Sequence, residues 1–391
     1  MPRQATTMDR RKFLKIAGSS GVIVAATSAG IGTFISTRTP KTALLPWEQA
    51  GSQYSDPMRK ALSYAILAPN PHNRQPWVVD MVSSNEAVLT CDLQRLLPDT
   101  DPFSRQIIIG LGCFLELFAL AASHNGHRSQ ITLFPEGEPG ERLNDRPIAH
   151  LKLIKDSQIK PDPLFVHALN RRTNRNPYDM GRSITQSDLT EITSVAGSNV
   201  SAGGVVQGKQ LQDLRDLTRD ALRDEILDPQ AFRESVDLMR IGRAEIEANP
   251  DGISLGGAFL ETLSLVGVLN RQELADPGSS AFQVGLDMVD DQALTSMGFV
   301  WIKTQGNGRQ EQIAAGRNYL RVALRVTSLG LAMQPMSQAL QEYAAMQVYY
   351  KKVHSMLTGG GEERVQMLAR LGYAEMISPS PRWALISRIG A

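Results

Sequence analysis

The feature that most constrains this 391-residue chain is an apolar run from Arg105 to Ser123. Glu116 is its one charged residue after Arg105, so a helix formed here would be hydrophobic on every side. Such a helix belongs in a core rather than at a surface. Asn125 and Gly126 follow as a helix stop signal. We therefore predict a helix over 105–123 at the centre of a sizeable hydrophobic core.

Helices and strands alternate along the rest of the body. Hydrophobic spacing predicts further helices over 57–67, 163–169, 209–226, 311–331 and 348–356, and strands over 77–82, 87–93, 131–134, 149–154 and 298–303. No GxGxxG follows a predicted strand, so a Rossmann nucleotide site is not supported. The predicted class is α+β, with helices packed on sheets.

Two further stretches contain turn formers or glycines. Residues 40–55 are rich in turn formers and are predicted to be a linker. The stretch 252–270 is apolar and punctuated by glycine. It is predicted to be either a buried helical hairpin or a mobile cover over a pocket.

Charge and side-chain chemistry exclude several classes of function. The 41 Lys and Arg residues balance 40 Asp and Glu residues, so the net charge of +1 gives no electrostatic basis for binding nucleic acid. Cys91 and Cys113 are the two cysteines, and each lies in an apolar run that favours a buried free thiol, although a bridge between them remains open. The six histidines lack metal-ligand spacing, so no metal site is predicted.

The first forty residues have the pattern of a targeting segment. Residues 9–15 read DRRKFLK, with Arg10 and Arg11 adjacent, and are similar to the bacterial twin-arginine export signal. The apolar stretch Ile16–Ile35 contains nine Gly, Ser or Thr residues among its twenty, which makes it a poor permanent membrane span. A basic start followed by an ordinary buried helix is the alternative.

The resemblance implies that residues 1–40 are a signal and linker. It implies export through the twin-arginine (Tat) machinery to the periplasm, with membrane contact only through the signal if it is left uncleaved. Because that route carries folded proteins, it also favours a cofactor inserted before export.

Two motifs in the body carry polar chemistry. Residues 68–77 read APNPHNRQPW, a proline-stiffened loop that presents Asn70, Asn73 and Gln75 unless it is a plain connector. Residues 171–175 read RRTNR, and three guanidinium groups so close together would repel one another without a shared anion. Arginine forks match phosphate oxygens, so this motif indicates a phosphate site or, alternatively, a solvated basic face.

Two later segments complete the pattern. After the long helix predicted over 311–331, the chain continues to LGLAMQPMSQ at 329–338. Near the C-terminus, RLGY at 370–373 is followed by Ser380, Pro381 and Arg382.

The four segments together resemble the FMN-binding nitroreductases. The family patterns APSxxNxQPW, RxSxR, helix–GLG–strand–Pro and GY…PR are similar to 68–77, 171–175, 329–338 and 372–382 respectively. The resemblance implies a nitroreductase-like α+β fold that binds FMN, with its phosphate held by the arginines and flavin N5 facing the backbone after Pro335. The cofactor-binding residues that it implies are Asn70, Asn73, Gln75, Arg171, Thr173, Arg175, Pro335, Met336, Ser337 and Arg382.

The order of the motifs points to a particular branch of the family. In ordinary nitroreductases RxSxR precedes APSxxNxQPW in one short chain, and two identical subunits build the site. Here 171–175 follows 68–77, and neither motif is repeated. The resemblance therefore implies a single-chain, Acg-like form, in which 55–160 and 161–391 are pseudo-symmetric halves that mimic the homodimer and share one flavin.

The resemblance also implies a function. The chain would be an FMN-dependent oxidoreductase that reduces a small planar acceptor such as a nitroaromatic or a quinone, with no catalytic side chain of its own. The alternative is a protein that binds or sequesters FMN with little or no turnover. A scaffold without a cofactor is the third interpretation.

Overall fold

The structure is a computed structural model that describes residues 38–197 and 200–390. Arg10, Arg11 and the apolar stretch after them lie outside the described residues. The described part of the chain is α+β, as its sequence predicts, and contains a five-stranded, a four-stranded and a two-stranded sheet.

The first half forms the five-stranded sheet and the central helix. Its elements are α1 (Lys41–Gln49), α2 (Pro57–Ala65), β1 (Trp77–Met81), β2 (Glu86–Cys91), α3 (Arg105–His124), β3 (His127–Leu133) and β4 (Ala149–Lys155), joined at the sheet edge by β11 (Ile389–Gly390). The strand order is β11-β1-β2-β4-β3, with β11 parallel to β1 and the other pairs antiparallel. In β2 the side chains alternate between buried and half-buried, as expected for a strand with one face on the core.

The second half forms the four-stranded antiparallel sheet, of order β5-β8-β10-β9. Its elements are α4 (Gln186–Ser194), β5 (Ser201–Val205), α5 (Lys209–Leu227), β8 (Gly298–Gln305), α11 (Arg309–Ser328), β9 (Ala332–Pro335), α12 (Gln347–Leu357) and β10 (Glu363–Gly372). The predicted helix over 163–169 is a 3-10 turn, Pro163–His167.

A long excursion, here called the insertion (residues 229–294), separates α5 from β8. It contains α6 (Pro229–Asp237), β6 (Met239–Ile241), α7 (Gly242–Ala248), β7 (Ile253–Leu255), α8 (Ala258–Leu265), α9 (Arg271–Ala275) and α10 (Ser280–Leu294). The buried-hairpin interpretation of 252–270 is wrong. Pairing of β7 with β6 directs the chain to the surface, where α8 buries none of its residues and Leu265 is 70% exposed.

The two long helices α3 and α11 cross at the centre of the molecule, and their backbones touch at two glycines. A Cβ added to Gly316 would meet the Ile109 carbonyl oxygen and lie 2.9 Å from the Cα of Gly112. By length and composition α3 could cross a membrane, but it is mostly buried inside the protein. It is therefore the core helix that the sequence predicts.

Both cysteines are buried and free, so the open alternative of a bridge between them is wrong. Burial raises the pKa of each thiol to about 12, which disfavours the reactive thiolate of Cys91 and Cys113 at neutral pH.

The C-terminal segment, here called the arm (residues 376–390), returns from the second half to the first. The Trp47 indole donates to the Ser380 carbonyl at 2.8 Å, and the Arg382 N–H donates to the Ala43 carbonyl at 2.9 Å. The arm ends as β11, in the sheet of the first half. The linker prediction for 40–55 is wrong because docking of the arm gives α1 a surface on which to bury Trp47.

Candidate functional site

The loop of residues 68–77 follows α2 and turns sharply. His72, Asn73 and Gln75 have φ values of 46°, 52° and 51°, a region that residues other than glycine seldom occupy. The Asn70 side-chain oxygen accepts from the Gln75 N–H at 2.7 Å and closes the turn. Strained backbone of this kind persists only where the surroundings fix it, and it clusters at functional sites.

Amide side chains of this loop tie it to the rest of the molecule. Gln75 is fully buried; its Nε2 donates to the Pro250 carbonyl at 2.7 Å and its Oε1 accepts from the Trp383 N–H at 2.9 Å. Asn73 Nδ2 donates to the Pro381 carbonyl at 2.9 Å. Asn73 and Gln75 therefore hold the insertion and the arm against the loop, and their predicted contact with a cofactor stays a prediction.

An ion-pair cluster fixes the insertion beside the same loop. Asp251 accepts from Arg240 at 3.0 Å and from Arg74 at 3.4 Å, and it also pairs with Arg95. The Asp251 side chain is only 7% exposed, so these contacts are shielded from solvent. The insertion is therefore anchored next to the 68–77 loop at a specific point.

Arg382, within the arm, is 2% exposed, and each nitrogen of its guanidinium donates a hydrogen bond. Its guanidinium donates to the carbonyls of Ile66, Leu67, Ala68 and Pro381 and to the side-chain oxygens of Asn73 and Ser380. These acceptors include the carbonyls at the C-terminal end of α2, where a cation is favoured by the helix dipole. Arg382 thus positions the 68–77 loop, and a direct contact with phosphate would require it to exchange one of these partners.

Arg171 differs from Arg382 in having almost no partner. It is 4% exposed, and the one hydrogen bond that its guanidinium makes in the described structure is a 3.5 Å contact from Nη2 to the Leu67 carbonyl. No carboxylate of residues 38–197 or 200–390 lies within ion-pair distance of it; its neighbours are Cys113 of α3 and Tyr319 of α11. Burial lowers the pKa of this guanidinium, but arginine keeps its charge at any accessible pH.

Arg171, Arg172 and Arg382 together form a cationic cluster at the end of α2. Arg172 donates to the carbonyls of Leu169 and Ile377 and lies over the Trp47 ring. Burial, and then the charges of Arg171 and Arg172, lowers the pKa of Arg382 well below its usual value. A group of three like charges, of which Arg171 and Arg382 are buried and Arg172 is half-buried, favours a bound anion.

Arg175 lies in a different environment from Arg171. Its side chain is exposed, and desolvation by the surrounding protein lowers the pKa of its guanidinium. The nearby Glu225 carboxylate offsets part of that shift. Thr173, between the two arginines, is half-buried and makes no hydrogen bond to the described residues.

His72 faces Arg175 from the 68–77 loop. Burial, reinforced by the positive charges of Arg175 and Arg74, lowers the pKa of His72 to about 4, so the imidazole is neutral at pH 7. Its Nδ1 atom is buried without a hydrogen-bond partner in the described structure. Such an orphaned polar atom is uncommon in a folded protein and is expected to face a ligand or water.

The segment of residues 329–338 lies against the RRTNR motif. The Asn174 N–H donates to the Met333 carbonyl at 3.0 Å, and the Met336 N–H donates to the Leu368 carbonyl at 2.8 Å. Pro335 ends β9, and Ser337 begins a 3-10 turn. The first N–H groups of such a turn have no carbonyl acceptor within the turn. An N–H at that position is available for an acceptor outside the turn.

In the fourth segment, Arg370 and Arg382 have different surroundings. Arg370 lies in β10, where it donates to Gln334 Oε1 at 2.7 Å and stacks over the Tyr178 ring, and it is fully buried. Arg382 binds the 68–77 loop as described above. The structure therefore brings all four sequence-predicted segments together, through Arg382, Arg171 and Asn174.

Glu225 of α5 is a site residue that sequence reasoning missed. It is 6% exposed and accepts from Gln341 Nε2 at 2.6 Å and Gln338 Nε2 at 2.8 Å. Burial raises the pKa of Glu225. The hydrogen bonds from these glutamines and the charge of Arg175 lower it, but by less. A signal was present, because Glu225 continues the apolar stripe of α5 three residues after Leu222.

No group of His, Cys, Asp and Glu side chains in the described ranges is arranged to hold a metal ion.

Comparison with known proteins adds a sequence relationship. No protein-family model matches the chain. The chain is 26% identical over 344 residues, 84% of its own length and 89% of the relative's, to "Putative NAD(P)H nitroreductase Rv3131" of Mycobacterium tuberculosis. It is also 26% identical over 125 residues, 32% of its own length and 36% of the relative's, to "Putative NAD(P)H nitroreductase acg" of the same organism. The chain is thus similar in sequence to the first of these relatives over most of its length.

A solved structure, the FMN and NADPH-dependent nitroreductase NfnB from sphigopyxis sp. strain HMH, aligns with 58% of this chain and 97% of its own. The identity is 16% and the TM-score 0.36.

Proposed function

We propose that this protein is an FMN-dependent oxidoreductase that reduces a small planar acceptor such as a nitroaromatic or a quinone. The observation that carries the proposal is the buried Arg171 guanidinium, which has no carboxylate partner in the described structure and lies beside Arg382 and the start of the 68–77 loop. The similarity, over 84% of the chain, to a mycobacterial protein named as a putative NAD(P)H nitroreductase supports the same class of function.

The residues present fit FMN at both ends of the proposed site. The cationic cluster of Arg171, Arg172 and Arg382 has no carboxylate partner within the described ranges and suits a phosphate group. Arg175 and the orphaned Nδ1 of neutral His72 suit the polar edge of a ring that gains negative charge. FMN, when bound, supplies a ring that takes up a hydride and passes it on.

The roles of this chain's own residues follow from their contacts. Arg171 would hold the phosphate, with Thr173 as a hydroxyl donor beside it. Arg382, Asn73 and Gln75 would keep the 68–77 loop in its strained shape. The free N–H at Ser337 would face the ring, as the family resemblance implies.

The proposed site would lie between two fused halves, 55–160 and 161–391. Arg171 of the second half contacts Leu67, just after α2 of the first half, and its other neighbours come from α3 and α11, one from each half. The arm then crosses back to the first sheet. One chain would thus supply what two subunits supply in a homodimeric nitroreductase.

The test of the proposal is the colour and redox behaviour of the purified protein. We expect flavin absorption bands, bleaching by dithionite under anaerobic conditions, and reoxidation when a nitroaromatic or a quinone is added. Bands that bleach and do not reoxidise with either acceptor would support the alternative of FMN binding without turnover. A folded protein that stays colourless with added FMN would refute both.

We also propose that the protein is exported to the periplasm by the twin-arginine machinery. The support is the DRRKFLK sequence followed by a weakly hydrophobic stretch. Replacing Arg10 and Arg11 together by lysine is expected to leave the protein in the cytoplasm, folded and still carrying flavin. Cell fractionation with an antibody checks this, and a double variant that still reaches the periplasm would contradict the proposal.

A further inference from the structure

Unsatisfied polar atoms gather around Glu225, beyond the residues that resemble an FMN site. The Gln341 side chain is 3% exposed and donates through Nε2 to Glu225, but its Oε1 is buried with no partner in the described structure. The Tyr343 hydroxyl is also buried without a partner there. Leaving such groups unpaired is costly, so a folded protein is expected to satisfy them with a ligand or ordered water.

The charged groups facing this cluster come from several elements. Arg175 approaches Glu225 from the RRTNR motif, and His72 approaches Arg175 from the 68–77 loop. Asp224, Asp228 and Glu234, from the end of α5 and from α6, act together with Glu225 on Tyr343. Burial, and then these carboxylates, raises the pKa of Tyr343, so its hydroxyl remains a neutral O–H donor. The cluster therefore combines the carboxyl groups of Glu225 and its acidic neighbours, the neutral side chains of Gln341 and Tyr343, and one cation, Arg175.

We propose that Glu225, Gln341 and Tyr343 form a subsite that binds an aromatic ligand through a hydroxyl group. The unpaired Gln341 Oε1 requires a donor, which a ligand O–H supplies and a nitro group or halogen does not. The Tyr343 O–H and the Arg175 guanidinium can donate back to the ligand oxygen. Gln338, one residue after Ser337, holds the same carboxylate and keeps the subsite next to the proposed ring site.

The aromatic nature of the ligand rests on the proposed function, whereas the hydroxyl requirement rests on the protein atoms alone. A buried acceptor that stays unpaired discriminates against ligands that lack a donor. We therefore expect hydroquinone to bind to the wild-type protein at least about tenfold more tightly than 1,4-difluorobenzene, which has a similar ring and no O–H.

The experiment is a calorimetric titration of the purified protein with both probes under anaerobic conditions, with FMN content measured separately from its absorption bands. Gln341→Met is expected to remove most of the preference for hydroquinone. Gln338→Met is the matched control, because it breaks a bond to the same carboxylate but removes no unpaired oxygen, and it should keep the preference. Tyr343→Phe is the second variant and should weaken hydroquinone binding while leaving 1,4-difluorobenzene unchanged.

Each outcome decides the proposal. No preference in the wild-type protein means that these atoms are satisfied by water only, and the subsite is refuted. Equal losses in Gln341→Met and Gln338→Met would also refute it. A colourless protein that still prefers hydroquinone would refute the FMN function and leave the hydroxyl subsite standing.

Discussion

Replacing Gly316 by alanine is expected to lower the free energy of unfolding by about 3 kcal/mol, since the added methyl group has no space between α3 and α11. The obstruction is backbone, namely the Ile109 carbonyl and the Cα of Gly112 at 2.9 Å. A side chain could rotate away, but two helix backbones can only move apart, which loosens a close-packed core. The better helix propensity of alanine offsets at most about 1 kcal/mol. Urea unfolding followed by circular dichroism measures the difference.

Gly285 in α10 provides the matched control. It is also helical, but a Cβ added there meets nothing within 4 Å. Gly285→Ala is therefore expected to leave stability unchanged or to raise it by up to about 1 kcal/mol. Equal stability changes in the two variants would show that the helices do not cross at Gly316.

The crossing also connects stability to the proposed site. Arg171 lies between Cys113 of α3 and Tyr319 of α11, so separating these helices moves the walls around its guanidinium. We expect the Gly316→Ala variant to lose FMN affinity as well as stability, and the Gly285→Ala variant to lose neither.

Elements with a strong local pattern were predictable from the sequence. The helix predicted over 105–123 is observed as Arg105–His124, because an all-round apolar run followed by Asn-Gly leaves few alternatives. The strand β10 was missed because Arg364, Gln366 and Arg370 interrupt its apolar pattern. Gln366 and Arg370 are buried only because distant residues, Thr304 and Gln334 among them, supply hydrogen-bond partners.

The segments of the candidate site were predictable from the sequence, but the contacts that each arginine makes were not. The motifs predict that Arg171, Arg175 and Arg382 form one phosphate-binding set, which stays a prediction. Their sequence spacing could not show that the Arg382 guanidinium donates to the carbonyls around the end of α2. It also could not show that Arg175 lies near His72 and Glu225. Such differences depend on which backbone groups fold next to each guanidinium, and local sequence does not encode that.

Replacing Arg171 by alanine is expected to weaken FMN binding roughly 10- to 150-fold and to leave riboflavin binding nearly unchanged. A charge-assisted hydrogen bond contributes about 1.5–3 kcal/mol, and riboflavin lacks the phosphate that would accept it. Arg171 is chosen because its guanidinium is buried and has only one long hydrogen bond in the described structure. Quenching of flavin fluorescence during titration of the apoprotein measures both dissociation constants.

Three neighbouring arginines give the controls for this measurement. Arg172→Ala should weaken FMN binding less than Arg171→Ala does, because that guanidinium already donates to carbonyl groups and stacks on Trp47. Arg175→Ala should weaken FMN and riboflavin alike, because the side chain lies with His72 and Glu225, away from the cationic cluster. Arg382→Ala should lower stability, since it orphans carbonyls around the end of α2.

The comparison of the two flavins makes the assignment of Arg171 testable against a purely structural role. If Arg171 only stabilised the junction of α2, α3 and α11, its loss would lower affinity for FMN and riboflavin by the same factor and would lower the unfolding free energy as well. A phosphate-binding Arg171 instead gives a loss confined to FMN. Removing an unpaired buried cation would then leave stability unchanged or raise it, because the desolvation cost of that charge disappears with the side chain. Equal losses of affinity for both flavins would show that Arg171 does not bind the phosphate.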